Sequence, residues 1–276
     1  MRKSSPLLSL FLFSQLLLSA ARIDTLETRS ASMHKLIRSI VVVPSGYDSS
    51  AQRYPVLYLL HGAGGDYSNW PVKDSSLGRY ADQYQLIIVC PDGGTTSWYF
   101  DSPVDSAMRY ETYISKELLT EVDTRYRTIA SKEGRAITGL SMGGHGALYL
   151  SFRHPGLYAA AASMSGGVDI RPFPKNWDLP KRLGSYETNP QNWENNTVIN
   201  LLPLLKDQRL DILFDCGTED FFYTVNKALH EKMMQLKIPH TYTERPGTHN
   251  WAYWKNALPY HLLFFNDVFN RYRAHK

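Results

Sequence analysis

The sequence predicts an α/β protein in which helices cover both faces of a mostly parallel central sheet. Short apolar runs recur along the chain, and most are continuous rather than alternating, as expected for strands buried on both faces. Segments with helical spacing of apolar residues lie between these runs, and alternating strands and helices indicate parallel pairing. A length of 276 residues is compatible with one such domain.

Seven apolar runs are predicted to be strands. In chain order they are "IVVVP" near Ile40, "VLYLL" at 56–60, "LIIVC" at 86–90, "AITGL" from Ala136, "AAASMS" near Ala160, "DILFDCG" from Asp211 and "HTYTERP" from His240. Three helices are predicted from spacings of three and four, namely Ile114, Leu118 and Val122; Val225, Leu229, Met233 and Leu236; and Leu262, Phe265, Phe269 and Tyr272.

One segment interrupts this alternation. The residues from Asp169 to Thr197 are rich in Pro, Asn and Trp and show no clear period. Predicted strands of the same sheet lie on both sides, so a linker between two domains is disfavoured. We therefore predict a lid-like insertion over residues 169–200, since long loops of this kind often serve functional sites.

The first residues have the layout of a secretory signal peptide. Arg2 and Lys3 precede an apolar stretch that ends in the small residues Ser19, Ala20 and Ala21. A membrane anchor is the alternative, but polar residues and Pro6 interrupt the short stretch. We predict a signal peptide over 1–21, a single α/β domain over 22–276, and an exported protein, periplasmic or secreted, without stable membrane insertion after cleavage.

Charge and cysteine content exclude some functions. The formal net charge is +4, and removal of Arg2 and Lys3 would lower it by two. Without a basic patch or a block of like charges, no nucleic-acid partner is expected. Cys90 and Cys216 lie in or at the end of apolar runs, and we expect both to remain unpaired core thiols.

A serine between glycines is the main candidate for chemistry. Gly139-Leu140-Ser141-Met142-Gly143 satisfies G-x-S-x-G between a predicted strand and a predicted helix, which is the context this nucleophile motif requires. A phosphate-binding loop is excluded because no Lys-Ser/Thr pair follows the glycines. Ser141 is therefore predicted to be a nucleophile rather than part of a plain turn.

A serine nucleophile needs a histidine base and a carboxylate that orients it, and on this scaffold the acid and then the base follow the serine. His249 follows the last predicted strand in a Gly-containing loop. Asp215, Glu219 and Asp220 are the candidate acids, and Asp220 is preferred because it lies past the turn that ends its strand. Asp215 is expected to be a buried acceptor for loop amides, and Glu219 to face solvent.

Backbone amides are needed to stabilise the oxyanion. The Met142 amide directly follows the serine, and the loop "HGAGGDY" after an earlier strand offers the amide of Ala63. Trp70, Trp98 and Tyr99 are candidate substrate-binding residues, because an aromatic wall suits an aromatic acid or a sugar face.

Together these motifs resemble the esterase D-type esterases of the α/β-hydrolase fold, a family with feruloyl, acetyl and tributyrin-type esterases, S-formylglutathione hydrolases and mycolyltransferases. The similarity covers nearly the whole chain after residue 21: "YPVLYLLHGAGGDYSNW", "SWYFDS", "GLSMGGHGALYLSFRHPGLYAAAASMSG", "CGTEDFF" and "PGTHNWAYW". It implies Ser141 as nucleophile, Asp220 as acid, His249 as base, and Ala63 and Met142 as amide donors, without a metal or cofactor.

Departures from the family pattern favour some of the family's substrate classes over others. The glutathione-linked hydrolases carry "DHS" at the base, whereas Thr248 precedes His249 here and Asn250-Trp251 follow it. The resemblance therefore implies an exported carboxylesterase that removes feruloyl or acetyl groups from plant polysaccharides or small-molecule esters. The alternatives are an acyltransferase of the mycolyltransferase type and an S-formylglutathione hydrolase-like thioesterase.

Overall fold

A computed structural model describes residues 20–274 and shows one eight-stranded sheet. The strands are β1 Arg22–Ser30, β2 Lys35–Val43, β3 Val56–Leu60, β4 Ile87–Pro91, β5 Arg135–Gly139, β6 Ala160–Met164, β7 Asp211–Gly217 and β8 Thr241–Arg245. Their spatial order is β1-β2-β4-β3-β5-β6-β7-β8. In this spatial order, the six strands β4, β3, β5, β6, β7 and β8 pair in parallel with their neighbours. The pairs β1 with β2 and β2 with β4 are antiparallel, so the predicted mostly parallel sheet is confirmed.

The helices are α1 Asn69–Lys73, α2 Leu77–Tyr84, α3 Tyr110–Thr112, α4 Leu119–Arg125, α5 Met142–Arg153, α6 Leu179–Leu183, α7 Pro190–Asn195, α8 Tyr223–Gln235 and α9 Trp251–Ala274, with a π-helical stretch Tyr113–Leu118 joining α3 to α4. Apolar side chains of α5 and α8 belong to the core on one face of the sheet, and those of α2 and α9 to the core on the other. All three predicted helical segments are confirmed.

Burial of strands on both faces explains the continuous apolar runs. Every residue of β3 and of β4 is buried, so neither face could carry polar side chains without leaving them unsatisfied. Strand β1, which was not predicted, has the opposite pattern. Its inward residues alternate with exposed ones, and among the strands of residues 20–274 it pairs with β2 alone, at the edge of the sheet.

The two cysteines are buried and unpaired, as predicted. Cys90 lies on β4 and Cys216 on β7, and β3, β5 and β6 separate these strands. Burial raises the pKa of both thiols, so both are held in the unreactive protonated form.

The segment 169–200 lies between β6 and β7 and contains α6 and α7. Hydrogen bonds attach it to the loop that follows β4: the Arg182 side chain donates to the Thr96 carbonyl at 3.3 Å and to Asp105 at 2.8 Å. The Ser102 hydroxyl in turn donates to the Arg182 carbonyl at 2.6 Å. The segment therefore packs on the sheet-end loops as an ordered part of the domain.

The signal peptide predicted over residues 1–21 falls almost wholly outside the described residues. Among residues 20–274, none of the helices is both long and apolar enough to span a membrane.

Candidate active site

Ser141 occupies the sharp turn between β5 and α5. Its φ is 56°, which lies in the left-handed region that a serine rarely adopts. The flanking glycines allow this turn, since a Cβ on Gly143 would lie 2.6 Å from the carbonyl oxygens of Leu60 and His61. The predicted G-x-S-x-G context is thus reproduced, and close packing of α5 against the end of β3 requires its second glycine.

Ser141, His249 and Asp220 form a continuous hydrogen-bonded series. The Ser141 Oγ lies 2.9 Å from Nε2 of His249, and Nδ1 of His249 lies 2.8 Å from Oδ2 of Asp220. An ionised carboxylate can only accept, so Nδ1 carries the proton and Nε2 is free to accept the serine proton. The Asp220 side chain is buried and that of His249 is 13% exposed.

The structure separates the three candidate acids. Asp220 lies beyond the end of β7, and its Oδ1 also accepts the Phe222 amide at 2.8 Å, which fixes the carboxylate toward His249. Glu219 is exposed, as expected. Asp215 is buried within β7 as predicted, but the expected partners were wrong: it accepts a 2.6 Å hydrogen bond from His261 and forms a 3.2 Å ion pair with Arg245, instead of binding loop amides.

The loops that carry Asp220 and His249 are hydrogen-bonded to each other. The Glu219 amide donates to the Gly247 carbonyl at 3.0 Å, and the Thr218 amide donates to the Arg245 carbonyl at 2.9 Å. A Cβ on Gly217 would collide with the Gly247 carbonyl. This backbone contact sets the separation of Asp220 and His249, and it could not be read from either motif.

The predicted oxyanion loop lies beside the serine. A Cβ on Gly62 would be 3.3 Å from Ser141 Cβ, so the backbone leading into Ala63 lies close to the serine side chain. Met142 is the first residue of α5, where amides have no acceptor within the helix and the helix dipole favours negative charge. The backbone leading into Ala63 and the first turn of α5 thus both lie next to Ser141.

The His61 side chain supports this loop by hydrogen bonds, a role that no motif in the sequence indicated. Its Nδ1 donates to the Gly62 carbonyl at 2.8 Å, and its Nε2 accepts the Gly93 amide at 2.8 Å. Burial lowers the pKa of His61, which keeps the ring neutral and able to accept at Nε2. The ring thereby joins the loop after β3 to the loop after β4.

The predicted aromatic wall of Trp70, Trp98 and Tyr99 is wrong. All three side chains are at most 1% exposed. Trp70 packs in the core on the face opposite α5 and donates to the Leu60 carbonyl at 3.0 Å, and Tyr99 donates to the His61 carbonyl at 3.0 Å. These large rings fill the layer beneath the loops at the end of the sheet. They therefore serve for packing and for hydrogen bonding to the backbone of these loops.

Other aromatic residues lie next to His249. The ring centroid of Phe221 is 4.2 Å from that of His249, and Trp177 from the inserted segment stacks on Phe221 at 5.7 Å. Neither was predicted, although Phe221 directly follows the preferred acid in "TEDFF".

The parallel sheet, the strained serine turn and the hydrogen-bonded Ser141–His249–Asp220 series define the class of protein as an α/β-hydrolase. The chain belongs to the esterase family, because the family model described as "Putative esterase" matches residues 30–265.

Relatives and solved structures agree with this assignment. An esterase of Mycobacterium tuberculosis is 38% identical over 48% of this chain, and an endo-1,4-beta-xylanase/feruloyl esterase of Xylanibacter ruminicola is 33% identical over 75% of it. The alignments span only 29% and 30% of the lengths of these two relatives. The solved structure of a ferulic acid esterase is 27% identical, with a TM-score of 0.79 over 91% of this chain and 99% of its own.

Proposed function

We propose that the protein is an exported serine carboxylesterase that hydrolyses acyl esters through a covalent acyl-enzyme, with Ser141, His249 and Asp220 as its catalytic residues. The hydrogen-bonded series from Ser141 Oγ through His249 to Asp220 carries the proposal. A serine hydroxyl becomes an effective nucleophile when a neutral histidine accepts its proton and a carboxylate stabilises the resulting imidazolium.

In the first half-reaction, Ser141 Oγ attacks the ester carbonyl carbon while its proton passes to His249 Nε2. The amides of Ala63 and Met142 donate to the oxyanion of the tetrahedral intermediate. The intermediate then collapses: the bond between carbon and the alcohol oxygen breaks, and His249 Nε2–H protonates the leaving alkoxide. Water then attacks the acyl carbon while one of its protons passes to His249 Nε2. The second tetrahedral intermediate collapses, His249 returns the proton to Ser141 Oγ, and the carboxylic acid leaves.

Feruloyl or acetyl groups on plant polysaccharides are the proposed substrates. The similarity to a xylanase/feruloyl esterase and to the structure of a ferulic acid esterase supports this choice. Export is proposed from the basic start, apolar stretch and small residues of 1–21. Fractionation of the producing cell, with N-terminal sequencing of the mature protein, tests export separately from activity.

The activity is tested with purified protein on p-nitrophenyl acyl esters and methyl hydroxycinnamates, with Ser141→Ala as the matched variant. We expect hydrolysis by the wild type, none above background by Ser141→Ala, and equal thermal unfolding of the two. A fluorophosphonate probe should add one adduct to the wild type, at Ser141. An adduct at another serine, or full activity of Ser141→Ala, would refute the proposal, and acyl transfer to an added alcohol would identify a transferase.

A further inference from the structure

A partly exposed aromatic pair borders the proposed catalytic centre. Phe221 is 52% exposed although it lies directly against the His249 ring. The Trp177 ring stacks on Phe221 with an interplanar angle of 23°, so the two rings form nearly parallel surfaces contributed by two different segments. Exposure of large apolar side chains costs hydration free energy and is most informative when it occurs beside a site.

The pair is held firmly from behind. Phe222 packs edge-on against Phe221 at 4.7 Å, and Phe173 contacts Trp177 at 5.4 Å. The Trp98 indole donates to the Trp177 carbonyl at 3.4 Å, and the next residue, Asp178, accepts a 3.2 Å hydrogen bond from Thr96. A supported, partly exposed aromatic surface of this kind is suited to bind a flat or weakly polar ligand face with little loss of side-chain entropy.

The position of the pair indicates which half of an ester it would contact. His249 Nε2 delivers its proton to the leaving oxygen, so the alcohol part of the substrate must lie on the His249 side of Ser141. The oxyanion loop at Gly62 borders the serine separately, and it positions the carbonyl oxygen. Phe221, in direct contact with His249, therefore lies on the side of the serine where the alcohol is expected.

We propose that Phe221 and Trp177 form a subsite for the alcohol part of the ester, and that this alcohol is a sugar whose apolar C–H groups pack against the part of the two rings that is open to solvent. The inference rests on the proposed esterase function and deepens it. Sugar rings combine an apolar face with hydroxyl groups at the edge, and Lys175 and Asn176, both exposed, precede Trp177 in the chain as polar neighbours. Phe221 and Trp177 thereby replace the buried Trp70, Trp98 and Tyr99 as candidate specificity residues.

The test uses esters that share an acyl group and differ in the alcohol: methyl ferulate against feruloylated arabinose, and methyl acetate against acetylated xylose. For Phe221→Ala and Trp177→Ala we expect kcat/KM to fall roughly tenfold more on each sugar ester than on the methyl ester of the same acid, because only the sugar loses its apolar contact surface. Phe221→Tyr should keep the wild-type rates on the sugar esters. Met234→Ala removes an exposed apolar side chain of α8 and should change the rates on neither class of ester.

Equal losses on methyl ferulate and feruloylated arabinose, with acetates unaffected, would overturn the proposal by placing the rings on the acyl side. Unchanged rates on all four esters would overturn it as well. A binding measurement separates this result from failure of the esterase function. Calorimetric titration of Ser141→Ala with an unesterified arabinoxylan oligosaccharide should show binding that is lost in Ser141→Ala/Phe221→Ala, and binding equal in the two proteins would refute the subsite even if no ester were hydrolysed.

Discussion

Asp220 uses its two carboxylate oxygens for different partners: Oδ2 accepts from His249 Nδ1 at 2.8 Å, and Oδ1 accepts the Phe222 amide at 2.8 Å. The second bond fixes the carboxylate plane, so the His249 ring is held in one tautomer and one orientation. A change that preserves Oδ1 but alters Oδ2 therefore separates the chemical role of Asp220 from its structural role.

Asp220→Asn makes that change. The amide group would donate to Nδ1 of His249 and place the ring proton on Nε2, facing Ser141, where it cannot accept the serine proton. We expect kcat to fall by about 10⁴-fold, as for other triad Asp-to-Asn changes, with the unfolding free energy reduced by less than about 1 kcal/mol. Steady-state kinetics and urea unfolding measure both, and Glu219→Gln, at an exposed neighbouring acid, should match the wild type.

Asp215 should behave in the opposite way. It forms a second histidine–aspartate pair with His261 at 2.6 Å, and His261 Nδ1 in turn lies 2.9 Å from the Thr138 hydroxyl. All of these side chains are buried, so no substrate can reach them. Asp215→Asn should lower the unfolding free energy by about 3–5 kcal/mol, because it leaves Arg245 and His261 without their charged partner, while kcat of the folded protein stays unchanged.

A normally folded but inactive Asp215→Asn variant would show instead that Asp215 is the acid of the reaction. Denaturation curves recorded beside the activity assay distinguish the two outcomes. The comparison with Asp220→Asn is matched, since both changes replace one carboxylate oxygen of a histidine–aspartate pair by an NH2 group.

The sequence predicted features that local sterics or pattern determine. Runs rich in β-branched and aliphatic residues identified strands β2 to β8, and the G-x-S-x-G spacing identified the sharp strand-to-helix turn at Ser141. Asp220 was predicted over Asp215 because ligand sites form beyond the carboxyl ends of parallel strands, and Asp215 is still within β7.

Features that depend on packing between distant segments were not predictable in this way. Thr138 and His261 are 123 positions apart, and only the docking of α9 on the sheet brings them together. The burial of Trp98 was missed for the same reason: its ring is 1% exposed and packs against Trp177, which is 79 positions away in the inserted segment.

Glu111 provides a pH-dependent part of the stability. Burial acts to raise the pKa of Glu111, but hydrogen bonds from His154 and Arg153, each at 2.8 Å, and from Tyr149 at 2.9 Å outweigh it and lower the pKa to about 2. The folded-state pKa lies below the ordinary value of 4.5, so the stabilisation is fully present above about pH 4.5 and is lost as the pH falls toward about 2.

Glu111→Gln should therefore cost about 3 kcal/mol of unfolding free energy at pH 7, and this difference from the wild type should shrink steadily between pH 4.5 and pH 2. Urea unfolding at several pH values measures it. Glu121→Gln, which removes one partner of an i,i+4 ion pair with Arg125, is the control and should cost about 0.5 kcal/mol or less. A difference for Glu111→Gln that is constant with pH would contradict the linkage.

His61 should support catalysis without touching the substrate. Its neutral ring ties the Gly62 carbonyl to the Gly93 amide, and Gly62 leads directly into the Ala63 amide that is proposed to bind the oxyanion. His61→Leu fills a similar volume but leaves both backbone groups unpaired, so the loop can shift away from Ser141. We expect kcat to fall by about 10²-fold, comparable to the loss of one oxyanion donor, with little change in KM.

The affinity of His61→Leu for a trifluoromethyl ketone, which forms an oxyanion on Ser141, should fall in parallel, whereas its affinity for the carboxylic acid product should not. His34→Ala, at an exposed histidine in the β1–β2 turn, is the control and should leave every value unchanged. If His61→Leu lowered only the melting temperature and kept kcat and ketone affinity, His61 would be a packing residue, and the Ala63 amide would not depend on it.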